Sequence, residues 1–272
     1  MTNSSVMSWE EAVHWLRNQS GQEELVRCCY YDDPVSAAAD RFQKSKEWQA
    51  VREYIPRQAG TALDIGAGRG ISSFALAKDG WKVTALEPDP SDLVGSGAIR
   101  NLVKESHTDI EIVNEWGESL PFSENKFDLV YCRAVLHHAR ELKKLSSEIE
   151  RVLKPGGCLV ATREHVISRK SDLAAFFDSH PLHRLYGGEN AYLLSEYKSS
   201  IEGSGLQLSK VIGPFESDIN LFPETKDSVK AQLSAKLKVV PKSLVSDLML
   251  YLYGLYNKTP GRLYSFVAFK KS

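Results

Sequence analysis

The sequence predicts an α/β protein built on a parallel sheet with helices on both faces. Three observations carry this. Short apolar strands alternate with segments of helical period from Thr61 to Arg163. The first strand, "TALDI", runs into Gly66, Gly68 and Gly70 and then into an apolar helix. The chain, 272 residues at 42% hydrophobic, is long enough to bury one large core.

The first sixty residues read as helical. Ser8 and Glu11 form a capping box, after which Trp9, Ala12, Val13 and Leu16 share one face. "DDPVSAAADRF" starts a second helix, with Asp33 as the expected cap and Pro34 in the first turn. Trp48, Val51 and Ile55 continue the helical spacing up to Pro56. The alternation then begins: "TALDI", a helix over Ile71 to Lys78, "WKVTALE" ending at Glu87, and a helix over "GAIRNLVKES". The strand "DIEIVN" comes next, then "KFDLVYC", the helix "LKKLSSEIERVL", and "GCLVATR". The end of the chain breaks the alternation. "SEYKSSIEGSG" is a glycine-stopped helix, and "LQLSKVIG" and "RLYSFVAFK" are strands. Between those strands lies a helical insertion, Glu224 to Tyr256, with lysines on one side of an amphipathic pattern. A solvated lysine face explains it without a partner, and a docking or membrane-surface helix is the alternative. The expected organisation is an N-terminal helical extension or cap (1–58) and a main domain (59–272) carrying the insertion (216–260).

Composition narrows the function classes. A formal net charge of −1 lacks the electrostatic footprint of a nucleic-acid binder. Cys28, Cys29, Cys132 and Cys158 show neither CxxC spacing nor clustering with histidine, so no disulfide framework and no metal site is expected. A reduced, cytoplasmic setting follows as an expectation. The opening residues lack the pattern of a signal peptide, and no apolar run reaches membrane-spanning length.

Glycine serves where the backbone turns with positive φ or approaches a ligand closely. A glycine loop between the first strand and its helix is where an α/β sheet receives a nucleotide-like ligand. A dinucleotide binder places glycines as G-x-G-x-x-G; here the spacing is G-x-G-x-G, with Ile71 in place of the last glycine. Glu87 ends the second strand, where a carboxylate accepts both hydroxyls of a ribose. Either nucleotide class uses such an acid.

The set "LDIGAGRG", "ALEPDP", "WGESLPF", "FDLVYCRAVLHH" and "RVLKPGGCLVATRE", in this order, resembles the class I S-adenosylmethionine-dependent methyltransferases of the type 11 group. The resemblance runs from about Thr61 to Glu164. It implies a Rossmann-like seven-stranded sheet, order 3-2-1-4-5-7-6, with the last strand antiparallel. It also implies S-adenosylmethionine as cofactor. Asp64, Gly66, Gly68 and Gly70 would hold its methionine end, Glu87 its ribose, and Pro88 or Asp89 would edge the adenine. Gly117 and Glu118 would supply adenine contacts, and Arg133 would join the cofactor site. Relatives often carry Asp where this chain has Trp116. Two roles stay open for that tryptophan: a cover over the adenine, or a core residue beside a polar Glu118.

Methyl transfer asks mainly for alignment of an acceptor with the activated methyl group. A hydroxyl or protonated amine also needs a base, most often His or a carboxylate. The candidates follow the fourth and fifth strands: Arg133, His137, His138, Arg163, Glu164 and His165. "SHPLHRLYGGENAY" adds His180, His183, Arg184 and Tyr186. His165, His180 and His183 are the catalytic candidates, while His137 and His138 read more readily as a helix-start feature. Tyr30 and Tyr31 are candidates for the opposite wall. The N-terminal helices and the insertion, both rich in apolar residues, are expected to close over the carboxyl edge of the sheet with the His180–Tyr186 loop. The expected acceptor is a small molecule. A dinucleotide-dependent oxidoreductase or epimerase, and a non-catalytic cofactor-binding regulator, are the competing classes.

Overall fold

A computed structural model describes residues 7–238 and 241–272; residues 1–6 and, within the expected insertion, 239–240 lie outside the described residues. Four helices come first: α1 (Trp9–Arg17), α2 (Glu23–Cys28), α3 (Val35–Gln43) and α4 (Lys46–Val51). Ser8 and Glu11 close the expected capping box on α1. Asp33 does not cap α3. Pro34 occupies the cap position, and Asp33 instead pairs with Arg17 and Arg69.

The alternating region gives β1 (Thr61–Ile65), α5 (Ile71–Lys78), β2 (Lys82–Leu86), α6 (Ser96–Ser106) and β3 (Ile110–Val113). It continues with β4 (Phe127–Arg133), α7 (Leu142–Val152) and β5 (Leu153–Ile167). Then come α8 (Leu173–Asp178), α9 (Pro181–Leu185), β6 (Tyr192–Leu193), α10 (Leu194–Gly203) and β7 (Gln207–Ile212). The insertion supplies α11 (Lys226–Leu237) and α12 (Asp247–Tyr256), and β8 (Arg262–Phe269) ends the sheet.

The sheet runs β3-β2-β1-β4-β5-β8-β7, with β8 antiparallel to both neighbours. This is the expected seven-strand order. The difference is a two-residue eighth strand, β6, paired beside the end of β5, which moves the later strands up by one number.

Two apolar layers cover the sheet. One joins Phe42, Trp48 and Val51 of α3 and α4 to Phe74, Leu76, Tyr131 and Val160. The other packs Leu145, Ile149 and Val152 of α7 with Tyr197 and Ile201 of α10 against Leu63, Val130 and Phe266. Trp48 is fully buried and its indole N–H donates to Asp79 Oδ2 at 2.9 Å. So α3 and α4 are a layer of the sheet's own core, joined to it as α5 is. Between α4 and the strand ends, Glu47 forms a two-pronged pair with Arg133 at 2.7 and 3.0 Å, its side chain wholly buried.

The strand β5 carries a bulge against β8 between Ala161 and Glu164. Leu159 and Ala161 face the α7–α10 layer, and two-residue alternation would put Arg163 and His165 there too. One extra residue reverses the parity, so Val166 takes that face and Glu164 and His165 are re-aimed. Arg163, in the bulge, has φ of 61°.

Candidate functional site

The carboxyl ends of β1, β2, β4 and β5 open into one cavity of about 860 Å³. Its floor is the glycine loop. Gly66 has φ of 62°, and a Cβ there would meet Val135 Cγ2 at 2.7 Å. At Gly68, with φ of 54°, a Cβ would meet only the Val94 carbonyl at 3.7 Å, so this glycine faces open space. Gly70 does not line the cavity. It opens α5 in a left-handed conformation and packs against Ile99, which a Cβ would approach to 3.2 Å.

Asp64, expected as a cofactor contact, is also absent from the cavity wall. Its carboxylate turns into the fold, where the hydroxyls of Ser72 and Ser73 donate to Oδ2 at 2.7 and 2.6 Å. Burial pushes its pKa up to about 6. The aspartate therefore braces the start of α5 beneath the loop.

Glu87 does reach the cavity. Its Oε2 accepts from the Gly68 N–H at 2.7 Å and its Oε1 from the Asp89 N–H at 3.0 Å. Burial raises its pKa to about 7, against the pull of these two amides. The carboxylate is thus oriented before any ligand arrives. Pro88, Asp89, Trp116, Gly117 and Glu118 continue this wall. Trp116 is 59% exposed with Arg140 over its ring, so of its two open roles the core position is excluded. A Cβ at Gly117 would strike Leu145 at 2.8 Å. Glu118 Oε1 accepts from the Arg140 N–H at 2.9 Å, which fixes its direction.

Arg133, also expected at the cofactor, lines the cavity but commits its guanidinium to Glu47, over the faces of Tyr30 and Phe42. The ion pair uses its Nε and Nη2, which donate to Glu47 Oε1 and Oε2. Its partner Glu47 carried no motif in the sequence, and the helical spacing there drew notice only to Trp48, Val51 and Ile55.

The roof comes from the chain's beginning. Ser8, Trp9 and the run from Cys28 to Tyr31 line the cavity together with Ser179, His180, Leu182, His183 and Tyr186. Trp9 meets the rings of Tyr31 and Tyr186 edge-on at 6.1 and 5.0 Å. Beneath this closure Ala12, Val13, Leu16 and Leu182 form a small core with Val94. Arg69, from the glycine loop, ties the roof down. Its Nη1 donates to the carbonyls of Tyr30 and Asp32, both at 2.8 Å. Among its described residues, the insertion does not take part. Helices α11 and α12 build a separate apolar cluster of Leu221, Val229, Val245 and Leu250, away from the cavity wall.

Five of the chain's seven histidines gather at the far end: His137, His138, His165, His180 and His183. His165 contacts the rings of His137 and His183 at 4.7 and 5.1 Å, and His180 lies 4.9 Å from His183. Burial lowers the pKa of all five, and that of His183 falls to about 4. They are neutral imidazoles at pH 7. His180 also accepts from the Leu182 N–H at 3.2 Å, capping α9.

Glu164 organises this end. It accepts the N–H groups of Val135, Leu136 and His137 at 3.0–3.1 Å, and its Oε2 lies 2.7 Å from His137 Nδ1. Glu189, from the loop before β6, faces His137 Nε2 at 3.4 Å. Burial pushes its pKa up to about 8. Nothing in the sequence singled out Glu189; it stands in a glycine-rich loop whose path the fold decides.

Residues 63–161 match the family model described as a methyltransferase domain. The chain carries a class I S-adenosylmethionine-dependent methyltransferase domain. S-adenosylmethionine is the cofactor such a domain takes. An uncharacterized methyltransferase of Mycobacterium sp. (strain JLS) is 31% identical over 129 residues, which are 47% of this chain and 46% of that protein. The chain thus aligns with about half the length of the curated relatives it matches. The S-adenosylmethionine-dependent methyltransferase of Mesorhizobium loti shares the fold at a TM-score of 0.55, with 16% identity over 84% of this chain and all of that one. The phosphoethanolamine N-methyltransferase 2 of Haemonchus contortus, in complex with S-adenosyl-L-methionine, superposes at 0.57, with 19% identity over 94% of this chain and 61% of that one. The methyltransferase domain's cavity fits the cofactor on its own chemistry. Gly68 leaves room for a ligand, Glu87 offers an oriented acceptor pair, and Trp116 provides an aromatic face beside them.

Proposed function

We propose that this protein transfers a methyl group from S-adenosylmethionine to a small organic acceptor by in-line displacement. The observation that carries this reading is the continuity of the cavity, which joins Gly68 and Glu87 at one end to the histidine cluster at the other. Its volume of about 860 Å³ lies toward the upper end of the range for small-ligand pockets, in keeping with a cofactor and a small acceptor held together. The bound cofactor supplies a methyl group already activated on a sulfonium. The protein's residues supply position, dryness and a proton acceptor. Glu87 takes the ribose hydroxyls, and Gly68 with Gly66 accommodates the methionine end. Trp9, Tyr31 and Tyr186 exclude water from the acceptor end, where alignment is worth most. His183, neutral and facing the cavity, accepts the proton that a hydroxyl acceptor sheds as its oxygen takes the methyl group, with His180 beside it. Free thiols at Cys28, Cys29, Cys132 and Cys158 support a cytoplasmic setting. Among the described residues no helix is long and apolar enough to cross a membrane.

Calorimetric titration with S-adenosylhomocysteine and, separately, with NADH tests the reading. Saturable binding of the first and none of the second is expected. The reverse would move the protein to the dinucleotide class. Binding without methylation of any hydroxylated or amine-bearing acceptor in a broad panel would favour the regulator.

A further inference from the structure

The buried cluster behind the acceptor end holds groups that proton acceptance does not use. One donor atom each of His137, His165 and Glu189 lies within 4.8 Å of the other two, and all three residues line the cavity. The hydrogen bonds around them determine where their lone pairs point. Glu164 already accepts three backbone N–H groups, so the short contact from His137 Nδ1 is an N–H donating to it, and His137 Nε2 is left as a bare lone pair. His165 Nδ1 lies 2.9 Å from the Gly261 carbonyl, which only accepts; its Nε2 is likewise a lone pair. Glu189 Oε1 is buried with no hydrogen-bond partner, 3.4 Å from His137 Nε2. Burial favours a proton on Glu189, yet Oε1 has no hydrogen-bond partner at this distance, and a cation in the gap would displace that proton and engage both atoms.

We infer that His137, His165 and Glu189 form a mononuclear site for a divalent first-row transition ion, with its open positions toward the acceptor end of the cavity. Two imidazoles and one carboxylate suit ions of the zinc and iron(II) class and leave coordination positions free. Magnesium, which prefers oxygen ligands, fits poorly. The outer contacts match those of a built site. One ligating histidine donates its second ring nitrogen to a carboxylate and the other to a backbone carbonyl, which fixes both tautomers and ring directions. Ligands of a common ion about 2.0–2.2 Å away stand roughly 3–3.5 Å apart. The His137–Glu189 separation of 3.4 Å meets this, and the donor atom of His165 stands within 4.8 Å of both, so metal binding would have to draw it closer. An ion here would attract an oxygen or nitrogen donor of the acceptor and hold it beside the transferable methyl group. The inference deepens the methyltransferase reading and rests on it only for the acceptor's role.

The test uses the tag-free full chain, stripped with chelator and titrated with Co²⁺, Zn²⁺, anaerobic Fe²⁺ and Mg²⁺. One Co²⁺ per chain with visible d–d absorption, displaced by Zn²⁺, is expected, together with a higher melting temperature. Glu189→Gln and His165→Ala should weaken uptake at least about tenfold. Glu189→Gln should melt no lower than the stripped parent, because Oε1 has no partner to lose. His14 and His107 are exposed, and the double variant His14→Ala/His107→Ala should bind as the parent does. No stoichiometric uptake, uptake unchanged in Glu189→Gln and His165→Ala, or uptake lost in the surface double variant would each overturn the site. A proton shared between Glu189 and His137 would show as the first of these. S-adenosylhomocysteine binding, measured on the same stripped samples, separates the two claims. Its presence without metal uptake overturns the site alone, and metal uptake without it overturns the methyltransferase reading alone.

Discussion

The proposed contact of Glu87 with the cofactor's ribose would couple cofactor affinity to pH, and the size of the effect follows from its surroundings. Burial raises its pKa from an ordinary 4.5 to about 7 even though the amides of Gly68 and Asp89 donate to it. The folded, ligand-free protein therefore holds this proton more tightly than the unfolded chain does. The corresponding stability is fully present below pH 4.5 and is lost as pH rises through 7, a difference of about 3 kcal/mol. Cofactor binding runs the other way. In the proposed contact the ribose hydroxyls donate to the ionised carboxylate, so the ligand would first require loss of the proton. Affinity for S-adenosylhomocysteine should rise about tenfold per pH unit below 7 and level off above, a gain of about 30-fold between pH 5.5 and 8. Calorimetry across this range measures it directly. Glu87→Gln removes the titration, so its affinity should be weaker at pH 8 and flat with pH, while its stability should fall less than the parent's between pH 5 and 8. A dissociation constant that does not change with pH in the parent, or that changes equally in Glu87→Gln, would refute the reasoning.

Three further outcomes are expected. Glu47→Ala leaves the buried Arg133 guanidinium without its partner and should cost about 3–5 kcal/mol in denaturant unfolding; a loss under 1 kcal/mol would mean that water replaces the carboxylate. Gly68→Val places a β-branched side chain in the open space above the loop at a positive φ, so it should abolish S-adenosylhomocysteine binding while costing only about 1–2 kcal/mol of stability; normal binding would show that the ligand lies elsewhere. Arg69→Ala frees the Tyr30–Asp33 segment from the glycine loop and should speed hydrogen exchange through α1 and α2, with ligand restoring less protection than in the parent; unchanged exchange would show that Trp9 and the apolar roof hold those helices unaided.

Local chemistry made much of this protein legible in its sequence. Periodicity places α6 and α7 because one face of each is apolar, α5 and the central parallel strands stand out as short apolar runs buried on all sides, and the Ser8–Glu11 box starts α1 because its two partners lie one turn apart. The glycine loop and Glu87 are readable for the same reason: positive φ and a strand-end carboxylate are properties of single positions. Other features depend on distant parts of the chain meeting. Asp64 belongs to the motif, yet Ser72 and Ser73, in the first turn of the next helix, take its carboxylate inward. Arg133 ends β4 at the cavity, but Glu47, 86 residues earlier, claims its guanidinium. The insertion's apolar residues suit a lid equally well on paper, and only their packing against Leu221 and Val245 keeps them off the cavity. The bulge between Ala161 and Glu164 decides most. Alternation along β5 would send His165 into the α7–α10 layer, whereas one extra residue, matched to β8 from the end of the chain, turns it toward His137 and Glu189. Register between strands a hundred residues apart is a tertiary quantity, and with it the tertiary structure chose which histidines face the cavity.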